Sequence, residues 1–163
     1  MKHLLLVLFF TQLAFLPQTM EAQSAVAFGG NLGTNFSEPG VFIRTQFLVQ
    51  PRVTAAATFN YYFVNPKVIT LNVDLDVHYA TRPPLEGRKF DSYLILGAHL
   101  GQRAFEAREY DRYTDRGMNV GAGSNLYVGG ATFFGELKYV VWGPGAQLSV
   151  GVLIPFVKKV KEM

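Results

Sequence analysis

The sequence predicts an all-β fold, an eight-stranded antiparallel up-and-down transmembrane β-barrel with a polar interior filled by side chains. Three observations lead there. Residues 67–80 alternate strictly, with Ile69, Leu71, Val73, Leu75, Val77 and Tyr79 set between Thr70, Asn72, Asp74, Asp76 and His78. Successive side chains of a strand point to opposite faces, so the segment has one apolar and one polar face. The same pattern recurs in the other candidate strands, and in each the charged residues keep to a single face. The glycines at 97, 101, 121, 123 and 151 share the polar face, as the cramped concave side of a small barrel requires.

The elements follow in order between turn signals, without a competing helical period. The first strand spans 24–32 and is followed by a loop at 33–39. The second, 40–49, meets the third, 53–63, across Gln50-Pro51. Asn65-Pro66 precedes the fourth strand, 67–80, and a longer connection at 82–88 leads to the fifth, 90–103. Residues 105–116 form the longest and most charged connection. The sixth strand, 117–128, turns at Gly129-Gly130 into the seventh, 131–141, and Gly143-Pro144-Gly145 leads to the eighth, 146–156. The apolar face carries, among others, Phe28, Ile43, Phe59, Val73, Leu96, Val120, Leu137 and Val150; the other carries Arg44, Asn60, Asp74, Asp76, His78, Asp91, His99, Asn119, Glu136, Lys138 and Gln147.

This distribution decides which face is outside. A soluble, lipocalin-like periplasmic barrel binding an apolar ligand would hold roughly thirty large apolar side chains inside eight strands, whose interior is barely wide enough for side chains. The polar face is therefore expected inside and the apolar face in lipid, where a closed barrel leaves no backbone edge unpaired. Tyr61, Phe63, Tyr79, Tyr139 and Phe156 fall near strand ends, where interfacial aromatics sit.

Composition agrees. Charged residues make up 17% of the 163, against about 25% in a typical soluble domain. The absence of cysteine excludes disulfides, thiolate metal sites and a lipoprotein anchor. Scattered basic residues and a net charge of +3 give no footprint for nucleic acid. Residues 1–22 read as a secretory signal peptide: Lys2 and His3, the apolar run 4–16, then small residues at Ala22 and Ala27, either of which suits cleavage. The barrel is expected over 23–156, with a short basic periplasmic tail at 157–163. An even strand count puts both termini on one side, so the connection at 105–116 falls outside the cell.

At the last strand, Ser149, Gly151, Ile154 and Phe156 are placed as polar residue, glycine, hydrophobic residue and aromatic. Here the chain resembles the small eight-stranded outer-membrane β-barrels of the OmpX and OmpA transmembrane-domain kind, over essentially all of the exported chain. Gly135-Glu136-Leu137-Lys138-Tyr139 also looks like their penultimate strands. The resemblance implies the outer membrane of a Gram-negative-type bacterium and recognition of the last strand by the barrel-assembly machinery. The seven residues after Phe156 depart from the family, whose aromatic is often terminal.

Candidate chemistry is sparse. Asp74, Asp76, His78, Asp91 and His99 could be imagined around a metal, but no spacing demands one. An interior ion-pair network with Arg44, Glu136, Lys138 and Arg103 is the expected arrangement, since buried charges must be paired. No cofactor is expected. The same filling argues against a diffusion pore. A lipid A-modifying enzyme would need a serine beside a histidine base. His78 and His99 are expected inside and Ser92 and Ser124 in lipid, and the deacylase motif His-x-Ser-Asn is absent, so no enzyme is expected. Specific function is left to the external loop, where Arg108, Tyr110, Arg112 and Tyr113 suit a protein or surface ligand.

Overall fold

The computed structural model describes residues 24–33, 37–65, 68–82, 89–105, 112–128 and 131–155. Its strands are β1 (Ser24–Gly33), β2 (Glu38–Gln50), β3 (Val53–Asn65), β4 (Val68–Ala80), β5 (Phe90–Phe105), β6 (Arg112–Val128), β7 (Ala131–Val141) and β8 (Gly145–Pro155). Each pairs antiparallel with the next, and β1 closes on β8 through pairs from Ala25↔Pro155 to Leu32↔Leu148. The result is the closed eight-stranded antiparallel barrel that the alternation predicts. Closure leaves no sheet edge along the body of the barrel, which is what a strand needs where water is absent.

The alternation appears directly as burial. In β4, Asn72, Asp74, Asp76 and His78 are buried, while Val73, Leu75, Val77 and Tyr79 are exposed on the outside. Leu75 is 59% exposed, a level at which a leucine on a water-soluble surface would be costly if repeated. It is repeated: Phe28, Ile43, Leu94, Leu96, Leu100, Val120, Leu137, Tyr139 and Val150 are exposed in the same way on the other strands.

The glycines confirm which side is crowded. A Cβ on Gly123 would lie 2.5–2.6 Å from the Tyr93 ring, and one on Gly97 would run into Asp76 and the Leu75 carbonyl. A Cβ on outward Gly135 would meet nothing nearer than Val150 Cγ1 at 4.0 Å. At Gly97, Gly101 and Gly123 another strand's side chain already fills the space, and at Gly121 the backbone of β7 does.

Three expectations need correction. Residues 105–116 are not one loop, because β5 runs to Phe105 and β6 begins at Arg112, with Arg103↔Tyr113 and Ala104↔Arg112 paired. Arg112 and Tyr113 are strand residues, and Arg108 and Tyr110 lie outside the described residues. The physical reason is that charge marks contact with water, not absence of a strand. This hairpin continues beyond the apolar belt, where charged side chains are compatible with β pairing. The extension also puts Arg116 directly opposite Leu100, so the outward face is not free of charge at that end.

The interior is also not wholly polar. Ala25, Ala27, Phe42, Phe134 and Leu153 form a buried apolar cluster, and Tyr62, Tyr93, Ile95 and Val140 are buried as well. Residues 1–22, Phe156 and the tail 157–163 lie outside the described residues.

Candidate functional site

The inward side chains assemble into two adjoining polar groups. In the first, the Arg44 guanidinium on β2 donates to both carboxylate oxygens of Glu136 on β7, at 2.5 and 2.6 Å. Its Nε donates to Thr58 Oγ1 at 2.8 Å. The fork matches a carboxylate in plane, the strongest geometry such a pair can adopt. Phe42 and Phe134 present their rings to the guanidinium carbon, with centroids 5.5 and 4.9 Å away. Tyr93 donates its hydroxyl to Glu136 Oε1 at 2.8 Å, and its ring stacks on His78 at 4.8 Å.

The second group lies around Asp74 and Asp76. Lys138, two residues beyond Glu136 on the same face of β7, donates to Asp74 Oδ2 at 2.8 Å and Asp76 Oδ2 at 3.0 Å. Asn119 donates to Asp76 Oδ1 at 2.7 Å, and Asn60 to Asp74 Oδ2 at 3.0 Å. His99 Nδ1 is 2.7 Å from Asp74 Oδ1, and its Nε2 is 3.5 Å from Asp115 Oδ1. Nearer the hairpin end, Arg103 bonds Glu38 at 3.0 Å.

The structure therefore brings together Arg44, His78, Glu136 and, beside them, Asp74, Asp76, His99 and Lys138. Asp91 is placed elsewhere. It is half-buried at the start of β5 opposite Asn125, eight residues or about 26 Å along the strand from His99. Sequence reasoning missed Tyr93 and the two phenylalanines, and it placed Asn119 and Asn60 on the inward face without including them in the network. Only Asn119 and Asn60 carried a signal, as polar residues on the inward face.

What this arrangement can do chemically is limited. The oxygens of Asp74 and Asp76 are engaged by lysine and asparagine donors, and among the described residues no group of three or more His, Cys, Asp or Glu could hold a metal ion. Ser92 and Ser124 are directly paired across β5 and β6 on the outer face, with Ser92 Oγ 2.8 Å from Thr81 Oγ1. His78 and His99 are buried on the other side of the sheet. Neither Ser92 nor Ser124 can therefore reach His78 or His99. Ser149 and Gly151 of β8 pair with Asn31 and Gly29 of β1, and Ile154 pairs with Val26, so the last strand closes the barrel.

A second feature lies at the end of the barrel opposite Ser24 and Pro155. The β6 ladder with β7 begins only at Met118↔Val141, so residues 112–117 rise above the turn joining β7 to β8. In the notch is a cavity of about 420 Å³ lined by Arg103, Tyr113, Asp115, Trp142, Gly143 and Pro144. Trp142 holds a left-handed backbone, φ 62°, and is 81% exposed.

No protein-family model matches the sequence, and no curated protein matches it either. Solved structures do. The N-terminal β-barrel domain of Pseudomonas aeruginosa OprF superposes with a TM-score of 0.66 at 18% identity, covering 83% of this chain and 100% of that one. Neisserial surface protein A gives 0.57 at 15% identity over 83% of this chain and 96% of that one. Ail, the attachment invasion locus protein of Yersinia pestis, gives 0.52 at 12% identity over 82% and 96%. At these identities the likeness is one of architecture, and the architecture of this chain is that of the small eight-stranded outer-membrane β-barrels.

Proposed function

We propose that the protein is an outer-membrane β-barrel that is not a diffusion pore and that acts as a structural or surface-binding element through the end opposite its termini. The observation that carries this reading is the exposure of large apolar side chains all around the closed barrel, set against charged and polar side chains inside. A soluble barrel holding an apolar ligand would need the reverse distribution. The interior ion pairs support a filled barrel, since Arg44, Asp74, Glu136 and Lys138 are shut away from solvent.

In this reading residues 1–22 direct export and are cleaved, the terminal end faces the periplasm, and the basic tail remains there. Ser149, Gly151, Ile154 and Phe156 present the strand recognised by the assembly machinery. The external surface then includes the end of the β5–β6 pair, with the strand residues Arg112 and Tyr113 at its rim, and the turn joining β7 to β8; Arg108 and Tyr110 belong to the same surface in this reading. Fractionation of cells expressing the full chain tests the proposal. The protein should sediment with outer membranes, resist salt and carbonate washes, and enter detergent. Recovery in the soluble periplasm would end it.

A further inference from the structure

From the cavity at the notch we infer a binding site for a neutral saccharide ring, which deepens and rests on the reading of this end as the outer surface. Four features of the lining lead to that ligand. Trp142 and Tyr113 are 81% and 61% exposed, two aromatic faces bordering one cavity. Arg103 and Asp115 line the same space with opposite charges. The Arg103 guanidinium is already held by Glu38. The Asp115 carboxylate faces the interior, with its Oδ1 3.5 Å from His99 Nε2. The volume of about 420 Å³ falls within the range of about 300–1,000 Å³ usual for small-ligand sites.

The chemistry of the lining selects among ligands. Its charges cancel, so it gives no preference to an anion over a neutral molecule. A purely apolar group would desolvate Arg103 and Asp115 without offering them hydrogen bonds, at a cost that grows as water is excluded. A pyranose offers both requirements at once. Its axial C–H face is apolar and flat enough to lie on an indole or phenol ring, and its equatorial hydroxyls donate and accept at the ring's edge. Carboxylate and guanidinium match such hydroxyls in opposite senses, one accepting and one donating.

The backbone adds a separate reason. A bulky side chain at positive φ is a conformational outlier, and such outliers concentrate where a side chain is held for use. Gly143 N–H bonds the Val140 carbonyl at 3.2 Å, which closes the turn that carries Trp142. The alternative use of an exposed tryptophan is anchoring at the lipid interface. Trp142 differs from an anchor in lining the same space as Arg103 and Asp115, whose side chains belong to the inward row of β5 and β6.

Trp142 is the single tryptophan of the chain, so its emission reports on this site alone. The full exported chain, purified in detergent and in nanodiscs, is titrated with maltohexaose, cellohexaose, laminarihexaose and chitohexaose. The expected result is a saturable change in Trp142 emission with at least one of them, insensitive to salt. By calorimetry, Trp142→Ala and Tyr113→Phe are compared with the parent, with circular dichroism confirming the barrel. Truncating the indole should weaken binding about tenfold or more, as for a buried aromatic anchor worth about 1.4–2 kcal/mol. Tyr113→Phe keeps the stacking face and should bind nearly as the parent. The inference is overturned by no response to any of the four sugars, or by equal affinity of Trp142→Ala. Binding only to heparin with loss in high salt also overturns it, as does quenching of Trp142 by brominated lipid, which would make it an anchor. Each of these outcomes leaves membrane fractionation untouched, so a failed sugar site and a misplaced protein are distinguishable.

Discussion

Replacing Glu136 with alanine should destabilise the barrel by about 3–5 kcal/mol, the usual cost of removing one member of a buried ion pair. The magnitude follows from what is left behind. Arg44 is 1% exposed and would lose both charge-assisted bonds, at 2.5 and 2.6 Å, while remaining tied to Thr58. Tyr93 would lose its acceptor, and an orphaned buried hydroxyl accounts for about 1–3 kcal/mol of the total. The Phe42 and Phe134 rings soften the effect, since a cation over aromatic faces retains about 0.5–2 kcal/mol of attraction. The assay is reversible urea unfolding in lipid vesicles, followed by Trp142 emission and analysed by linear extrapolation with the slope checked for constancy. The double replacement Arg44→Met with Glu136→Leu should recover the part of the loss that comes from the uncompensated charge, while the part due to Tyr93 remains because leucine offers its hydroxyl no acceptor. A loss below about 1 kcal/mol for Glu136→Ala would refute the reasoning, since that is the behaviour of a solvated pair.

Other consequences are open to test. Val73→Arg, near the middle of β4 on the exposed face, should cost about 2–4 kcal/mol in vesicles against a Val73→Leu control, if it lies at the bilayer midplane. Gly123→Ala should displace Tyr93 and cost about 1–3 kcal/mol as overpacking, whereas Gly135→Ala should be close to neutral in the same unfolding assay. In planar bilayers the protein should pass no steady porin-like current, because the inward side chains fill the barrel; a large, stable open-channel conductance would contradict that filling.

The parts legible in the sequence are those set by local rules. Strand β4 announces itself because Ile69 to Tyr79 alternate without a fault, and the observed strand differs from the expected one by a single residue at its start. The β5–β6 hairpin was obscured because Glu106, Arg108, Glu109, Asp111, Arg112, Asp115 and Arg116 resemble loop composition, although part of that charge belongs to paired strand. The Arg44 to Glu136 bond joins residues 92 positions apart on strands that are not neighbours. It depends on the stagger of the whole barrel, which no single strand encodes. Phe42 and Phe134 were hidden for another reason. They occupy the inward row, where they pack on each other and on Ala25, Ala27 and Leu153 and border the Arg44 guanidinium, contacts that no single strand's pattern shows. At the notch, Trp142 beside Gly143-Pro144-Gly145 reads as an ordinary turn until Tyr113 and Arg103 are seen across the cavity.

The direction in which the apolar face points is the claim on which all else depends. The chain has no cysteine, so single-cysteine spin labels can be placed along β4 without background. The decisive measurement is the accessibility of labels at consecutive positions from 71 to 78 to lipid-soluble oxygen, with the protein in bilayers. Accessibility should rise and fall with a period of two, with maxima at Leu71, Val73, Leu75 and Val77 and minima at Asn72, Asp74, Asp76 and His78. Maxima at the even positions, or a flat profile, would contradict the account.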